Sequence, residues 1–209
     1  MFIVSTLEDT VRIAPQDLGK PAEAAITAAI ERTFLDKVVQ GLGLVFTLYD
    51  LLSIGDGYVY PSDGGAHYKV SFRVVVFRPF QEELLVGKVH RMTRDGIFVD
   101  MGFFRDVLIP PHGMPEPSYW HEADEAWLWR VEGQDLFFEK GLPLRFKVQS
   151  VRFHAEPTLA EQQAQKEEGV AVVGTTERPF VPMEVMGKAD GDGLGMVHWY
   201  AAGDDDMAV

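Results

Sequence analysis

Residues 68–77 alternate: Val70, Phe72, Val74 and Val76 fall on one side, and Lys69, Ser71, Arg73 and Val75 on the other. A repeat of two is the spacing of a β-strand, because successive side chains leave the pleated backbone on opposite faces. A strand with one apolar face must cover that face, so the alternation demands a second layer. An earlier stretch supplies it. Leu18, Ala22, Ile26, Ile30 and Phe34 recur every four residues, Ala25, Ala29 and Val38 fill the same face, and Glu23, Thr27, Glu31 and Arg32 take the other. This predicts one amphipathic helix. Pro21 suits its first turn or a break after a short preceding turn, and Gly41 and Gly43 are expected to end it. Residues 1–4 read as a strand and residues 42–54 as β-rich chain. Turns are expected at Ile54-Gly55-Asp56-Gly57 and at Pro61-Ser62-Asp63-Gly64-Gly65. Arg78-Pro79-Phe80 is the expected junction, since proline ends a ladder.

Beyond it, residues 84–90, 96–101 and 107–109 are short apolar runs, with Thr93-Arg94-Asp95-Gly96 as the first turn. Trp127 and Trp129 share a face of a strand over 126–131, residues 136–138 form another, and residues 144–153 alternate at Phe146, Val148 and Val151. Short strands at this spacing predict a small barrel. Residues 155–178 break the pattern, and Glu161 to Glu168 is so poor in apolar residues that a mobile insertion is expected over 157–177. Order is expected to resume at Pro179-Phe180-Val181, and Asp190-Gly191-Asp192-Gly193 turns the chain into residues 194–200. The fold class is therefore α+β: a helix on an antiparallel sheet over 1–79, then an all-β OB-type barrel over 80–201, then an acidic tail at 202–209.

Composition narrows the chemistry. Of 209 residues 46% are hydrophobic, the balance of a chain that folds around a core. The net charge of −13 argues against gripping nucleic acid by bulk electrostatics. That charge is uneven: seven basic and nine acidic residues over 1–79 give −2, nine and thirteen over 80–156 give −4, and three and ten over 157–209 give −7. Local basic surface on the body is compatible with this distribution. Absence of cysteine excludes a disulfide scaffold, a zinc ribbon and a thiol nucleophile. No apolar run reaches the roughly 18 residues that span a bilayer, and the N-terminus lacks the order of a signal peptide, so a soluble intracellular protein is expected.

Catalytic patterns are poor. The six histidines show no His-Glu-x-x-His spacing, and His121-Glu122-Ala123-Asp124-Glu125 reads as a solvated loop. Asp190-x-Asp192-Gly193 lacks the further ligands of a calcium loop. No catalytic residue, metal site or cofactor is expected. Trp120, Trp127 and Trp129 could form an exposed platform, but core and partner-interface roles suit a thin barrel better. The richest stretch is Gly87-Lys88-Val89-His90 followed by Asp95-Gly96-Ile97-Phe98-Val99-Asp100-Met101-Gly102 and Phe103-Phe104. On an OB-type face aromatic rings stack on unpaired bases, each worth about 1–3 kcal/mol. Phe98, Phe103 and Phe104 are the candidate stacking residues, and Lys88, His90, Arg91 and Arg94 the candidate phosphate contacts. A purely structural hairpin with Phe98 in the core fits the same pattern.

Gly87-x-Val89, Asp95-Gly96-x-Phe98-Val99-x-x-Gly102 and Val107-Leu108-Ile109-Pro110 resemble the S-one RNA-binding OB module of ribosomal proteins. Thr10-Val11-Arg12-Ile13, Tyr58-Val59-Tyr60-Pro61, Lys69-Val70-Ser71-Phe72-Arg73 and Val75-Val76-Phe77 resemble the stalk subunit shared by archaeal and eukaryotic RNA polymerases. Gly193-Leu194-Gly195-Met196-Val197-His198-Trp199-Tyr200 is similar to the closing segment of the RNA polymerase III version. The resemblance covers residues 1–201 apart from the insertion. It implies a non-catalytic subunit in the nucleus that acts in transcription initiation. Its N-terminal domain would be the tip that docks on the RNA polymerase III core subunits, through Gly55, Asp56, Gly57, Pro61, Ser62, Asp63, Gly64 and Gly65. A small helical partner would complete a heterodimeric stalk, and the barrel would meet initiation factors or nascent single-stranded RNA. Pro110 stands where the S-one module carries a histidine on its nucleic-acid face, and proline neither stacks like imidazole nor donates a hydrogen bond. Two rivals share the pattern: the stalk subunit of another polymerase, and a free S-one RNA-binding factor in translation or RNA decay.

Overall fold

The computed structural model describes residues 1–155 and 180–200. The expected insertion at 157–177 and the acidic tail at 202–209 lie outside the described residues. The chain divides into two units, Met1–Arg78 and Pro79–Val209.

The first unit is built on three long strands: β1 (Phe2–Ile13), β3 (Gly43–Val59) and β4 (Ala66–Phe77), joined at one edge by the two-residue β2 (Val38–Val39). All pairs are antiparallel, in the order β1-β4-β3-β2. The helix α1 (Ala22–Phe34) covers one face. Ala25, Ile26, Ala29 and Ile30 pack against Val70, Phe72, Val74 and Val76, so the alternating face of β4 is the floor of this core. Ile26 and Ile30 are fully buried, and burial of this kind contributes roughly 1.5–3 kcal/mol for each such side chain.

The helix is shorter than its apolar stripe. Pro21 is the N-cap and a 3-10 turn (Pro15–Asp17) precedes it, so Leu18 lies outside the helix and is exposed. At the other end Leu35 is already extended and Asp36 has a positive φ. The backbone there is recruited by the sheet: Asp36 N–H donates to the Val45 carbonyl, and Val45 N–H donates to the Lys37 carbonyl. Val38 therefore enters β2, and Gly41 and Gly43 turn the β2–β3 hairpin instead of ending the helix. Gly43, at φ +135°, sits where a Cβ would strike the Phe77 carbonyl.

The expected turn at residues 54–57 is absent. β3 runs unbroken for 17 residues opposite the 12 of β4, and the excess is taken up by four register shifts. Val45, Leu48, Leu51 and Ile54 stand opposite Val76, Val74, Phe72 and Val70; the first three pack into the core under the helix, whereas Ile54 is exposed. Phe46, Tyr49 and Leu52 are the surplus residues of the first three shifts, the two-against-one arrangement of a β-bulge. Gly55 and Gly57 lie within the fourth irregularity. There a Cβ on Gly55 would come within 3.1 Å of the Lys69 carbonyl, and one on Gly57 within 2.6 Å of the Tyr68 ring.

The second unit is a closed barrel. Its strands are β5 (Leu84–Thr93), β6 (Gly96–Asp100), β7 (Val107–Ile109), β11 (Pro143–Phe153) and β12 (Met183–Lys188). β12 pairs parallel to β7 and antiparallel to β11, which closes the ring. Val89, Ile97, Val99, Val107, Ile109, Leu144, Phe146, Val148, Met183 and Val185 fill the interior with essentially no exposure. This is the expected OB-type barrel. Between β7 and β11 the chain forms a separate antiparallel sheet of β8 (Ser118–His121), β9 (Ala126–Val131) and β10 (Gln134–Phe137). A two-residue strand, β13 (Gly195–Met196), pairs with β11 before a final 3-10 turn over Val197–Trp199.

Candidate functional site

On the barrel, the first hairpin builds a cationic and aromatic face. β5 and β6 pair antiparallel with a shift between Val89 and Arg91, so His90 is a surplus residue and both His90 and Arg91 are exposed. Arg91 stands opposite Phe98, which stands opposite Leu108 on β7. The Arg91 guanidinium lies 4.2 Å from the centre of the Phe98 ring, a cation–π contact that sets both groups on the outer surface. Lys88 is exposed and stands opposite Asp100. A cleft of about 560 Å³ adjoins this face, with Lys88, His90, Asp100, Met101, Gly141 and Pro143 among its walls. Lys88, His90, Arg91 and Phe98 are thus brought together.

The other candidates separate. Arg94, in the turn, is ion-paired to Glu122. Phe103 is 40% exposed, whereas Phe104 is only 5% exposed and belongs to the core. A ring enclosed by protein cannot stack on a base, so Phe104 leaves the RNA-facing set. The alternation of the strand ends at Asp100, and the two consecutive phenylalanines then point to different environments. Pro110 is buried and caps the 3-10 turn over Pro111–Gly113.

Asp100 was not among the expected site residues, yet it organises the turn that carries Phe103. Its carboxylate accepts from Gly102 N–H at 2.6 Å and pairs with Arg105 at 3.0 Å. Trp127 acts similarly on the hairpin. It is nearly buried and its Nε1–H donates to the Thr93 carbonyl at 2.8 Å. Trp129 and Phe138 both pack against Trp199, at 5.6 and 4.9 Å between ring centres, so the closing segment is held by aromatic contacts. Trp127 is therefore a core residue and takes no part in an exposed platform.

On the first unit, Gly55, Asp56 and Gly57 belong to β3, while Pro61 to Gly65 form the connection to β4. Arg12, at the end of β1, donates from Nε to both Asp63 oxygens at 3.0 and 2.8 Å, and its terminal nitrogen completes the fork. His67 Nε2 lies 2.6 Å from Asp63 Oδ2 and must be the donor, because an ionised carboxylate only accepts. These donors hold the Asp63 carboxyl well below the usual range, Arg12 first and His67 second. No sequence spacing points to this cluster, since Arg12 and Asp63 are 51 residues apart.

The chain is thus a two-unit protein, a helix on an antiparallel sheet followed by a closed OB-type barrel with a cationic–aromatic face. A family model described as the SHS2 domain found in the N terminus of Rpb7p/Rpc25p/MJ0397 matches residues 8–64, and one described as RNA polymerase III subunit Rpc25 matches residues 83–200. The chain belongs to the RNA polymerase III subunit Rpc25 family. It is 33% identical over 210 residues to the DNA-directed RNA polymerase III subunit RPC8 of Bos taurus, across 97% of this chain and all of that protein. It is 36% identical to the rpc8 subunit of Dictyostelium discoideum, across 96% of this chain and 85% of that protein. The RNA polymerase II subunit RPB7 of Saccharomyces cerevisiae is 26% identical across 56% of this chain and 68% of its own.

Proposed function

We propose that this chain is a non-catalytic stalk subunit of nuclear DNA-directed RNA polymerase III, acting in transcription initiation. The observation that carries this reading is likeness along almost the whole chain to proteins named as RNA polymerase III subunits, against about half the chain for the RNA polymerase II relative. In this reading the first unit is the tip that docks on the core enzyme, through the chain around Pro61 to Gly65. A small helical subunit joins it to form the stalk heterodimer, and the barrel projects towards initiation factors and emerging RNA. Affinity purification of the tagged full-length chain, followed by subunit identification, tests the assignment. Recovery of the RNA polymerase III core with one small additional subunit is expected, and recovery of RNA polymerase II subunits or of ribosomes would replace the reading.

RNA contact by the barrel is supported by the Arg91–Phe98 pair beside Lys88 and His90. The net −4 over residues 80–156 argues for a weak contact made within the assembled enzyme rather than for an autonomous clamp. Fluorescence anisotropy with single-stranded RNA at two salt concentrations tests it.

A further inference from the structure

Among the described residues of the second unit, the basic side chains fall into two groups. Arg94, Arg105, Arg130, Lys147 and Lys188 are each ion-paired. Lys88, Arg91, Lys140, Arg145 and Arg152 have no carboxylate partner. All of these but Arg152 gather around the cleft of about 560 Å³ beside the first hairpin. Lys88 lines it, and Arg91 follows on β5 after the bulge. Arg145 stands opposite Val86, another wall residue, and is exposed on the same side of the barrel as Lys88, its diagonal neighbour at about 7–8 Å. Lys140 arrives on the turn before β11. Gly141 N–H donates to the Val89 carbonyl at 2.7 Å and Val89 N–H donates to the Leu142 carbonyl at 3.0 Å, which pins that turn to the residue between Lys88 and His90. The carboxylates nearby are engaged: Asp100 by Arg105 and Gly102 N–H, Glu139 by His198 at 3.9 Å. A cleft rimmed by one sign of charge concentrates anions.

The end of the described chain stands beside this cleft. β13 pairs with β11 through Arg145 and Gly195. Arg145 Nη1–H donates to the Gly193 carbonyl at 3.4 Å and Tyr200 O–H donates to the Leu194 carbonyl at 2.8 Å, so both side chains are tied to consecutive carbonyls of one turn. Ala201-Ala202-Gly203-Asp204-Asp205-Asp206 follows in the sequence. Asp204 is thus within a chain reach of up to about 14 Å from Tyr200.

We propose that Asp204-Asp205-Asp206 seats among Lys88, Arg91, Lys140 and Arg145 and competes with single-stranded RNA for that face. The proposal rests on the RNA contact proposed above and adds what occupies the face when RNA is absent. Three successive carboxylates complement cations that have no acidic partner of their own. Tethering within one chain supplies them at an effective concentration of the order of millimolar, while each exposed pair is weak enough to yield to a longer polyanion.

Two measurements on the full-length chain test this. Carbodiimide coupling joins a lysine to a touching carboxylate as an amide, with loss of water. Peptide mass spectrometry is expected to find Asp204, Asp205 or Asp206 linked to Lys88 or Lys140 within one chain. Links to Lys147 or Lys188 instead, or no link at all, would overturn the proposal. The second measurement is anisotropy with a short labelled oligouridylate at low salt. The triple variant Asp204→Asn, Asp205→Asn, Asp206→Asn is expected to bind about fivefold more tightly, and to lose that gain when Lys88→Ala and Arg145→Ala are added. A gain that survives those two changes is long-range repulsion alone and overturns the seat. If the triple variant binds as wild type while Lys88→Ala with Arg91→Ala binds more weakly, the tail proposal fails and RNA contact stands. If neither variant changes RNA binding, the competition falls together with RNA contact at this face.

Discussion

Arg91 and Phe98 are cross-strand partners whose side chains stack, with the guanidinium 4.2 Å from the ring centre. The bulge at His90 adds a second exposed side chain to the same edge of the hairpin. A planar cation laid on an aromatic ring can point its N–H groups at a phosphate while the ring borders a base.

Lys88→Ala combined with Arg91→Ala is therefore expected to weaken single-stranded RNA binding modestly. Removing two phosphate-neutralising side chains should reduce the steepness of the log–log salt dependence by roughly 1.4, about 0.7 for each. Anisotropy titrations at several salt concentrations measure both quantities. If affinity and slope are unchanged, these two residues do not face RNA.

Gly96→Ala is expected to destabilise the barrel by more than about 1 kcal/mol. Gly96 has φ +144°, and a Cβ there would collide with the Ile109 carbonyl on β7. Tryptophan emission is the readout, because Trp120, Trp127, Trp129 and Trp199 all lie in the second unit. Wild-type denaturant resistance in this variant would mean that the hairpin relaxes at no cost.

Ile30→Ala is expected to destabilise the first unit by about 2–5 kcal/mol, the usual range for truncating a fully buried isoleucine. Far-UV circular dichroism at 222 nm, a wavelength chosen for helix, should lose its signal at lower denaturant, since Ala22–Phe34 is the only α-helix among the described residues. Tryptophan emission does not report on this unit.

The pH dependence has two opposite signs. Asp106 is half-buried, and burial first, then the charge of Glu184, pushes its carboxyl above the ordinary value. Glu184 in turn faces His154 at 3.8 Å and stands opposite Arg152. A raised acid favours the protonated fold, so ionising Asp106 costs stability. The cost is absent below the unfolded value of about 4 and grows as pH rises through the folded one. Asp106→Asn should consequently raise the melting temperature at pH 7, with the gain shrinking towards pH 4, and a constant gain would contradict this. Asp63 behaves in the reverse sense: its contribution is present above about pH 4 and lost as pH falls further.

The layers were legible because β4 and α1 have regular periods. Val70, Phe72, Val74 and Val76 could bury one face only as a strand, and Ile26 with Ile30 could meet them only as a helix. β3 was less legible, because bulges change its period from two to three, and glycines within a bulge resemble glycines in a turn. At the barrel hairpin, the glycine spacing marked the two strands on which Lys88, His90, Arg91 and Phe98 stand. Phe104 was misread since pattern alone does not say where a strand ends and a buried ring begins. The Asp63 clasp and the Trp127 hydrogen bond to Thr93 depend on tertiary approach over long separations, and local sequence carries no trace of them.

The bulged pairing of β3 makes the two halves of that ribbon unequal in their tolerance of length change. β3 already takes up surplus residues in two-against-one steps while Val45, Leu48 and Leu51 stay in the core under the helix. A residue inserted or removed there can be absorbed as one step more or one fewer. β4 pairs with β1 without a shift from Ala66 to Phe77, and a single insertion at its middle would turn half of its core-facing side chains outward. Insertions and deletions in this ribbon should accordingly survive on the β3 side and be fatal on the β4 side.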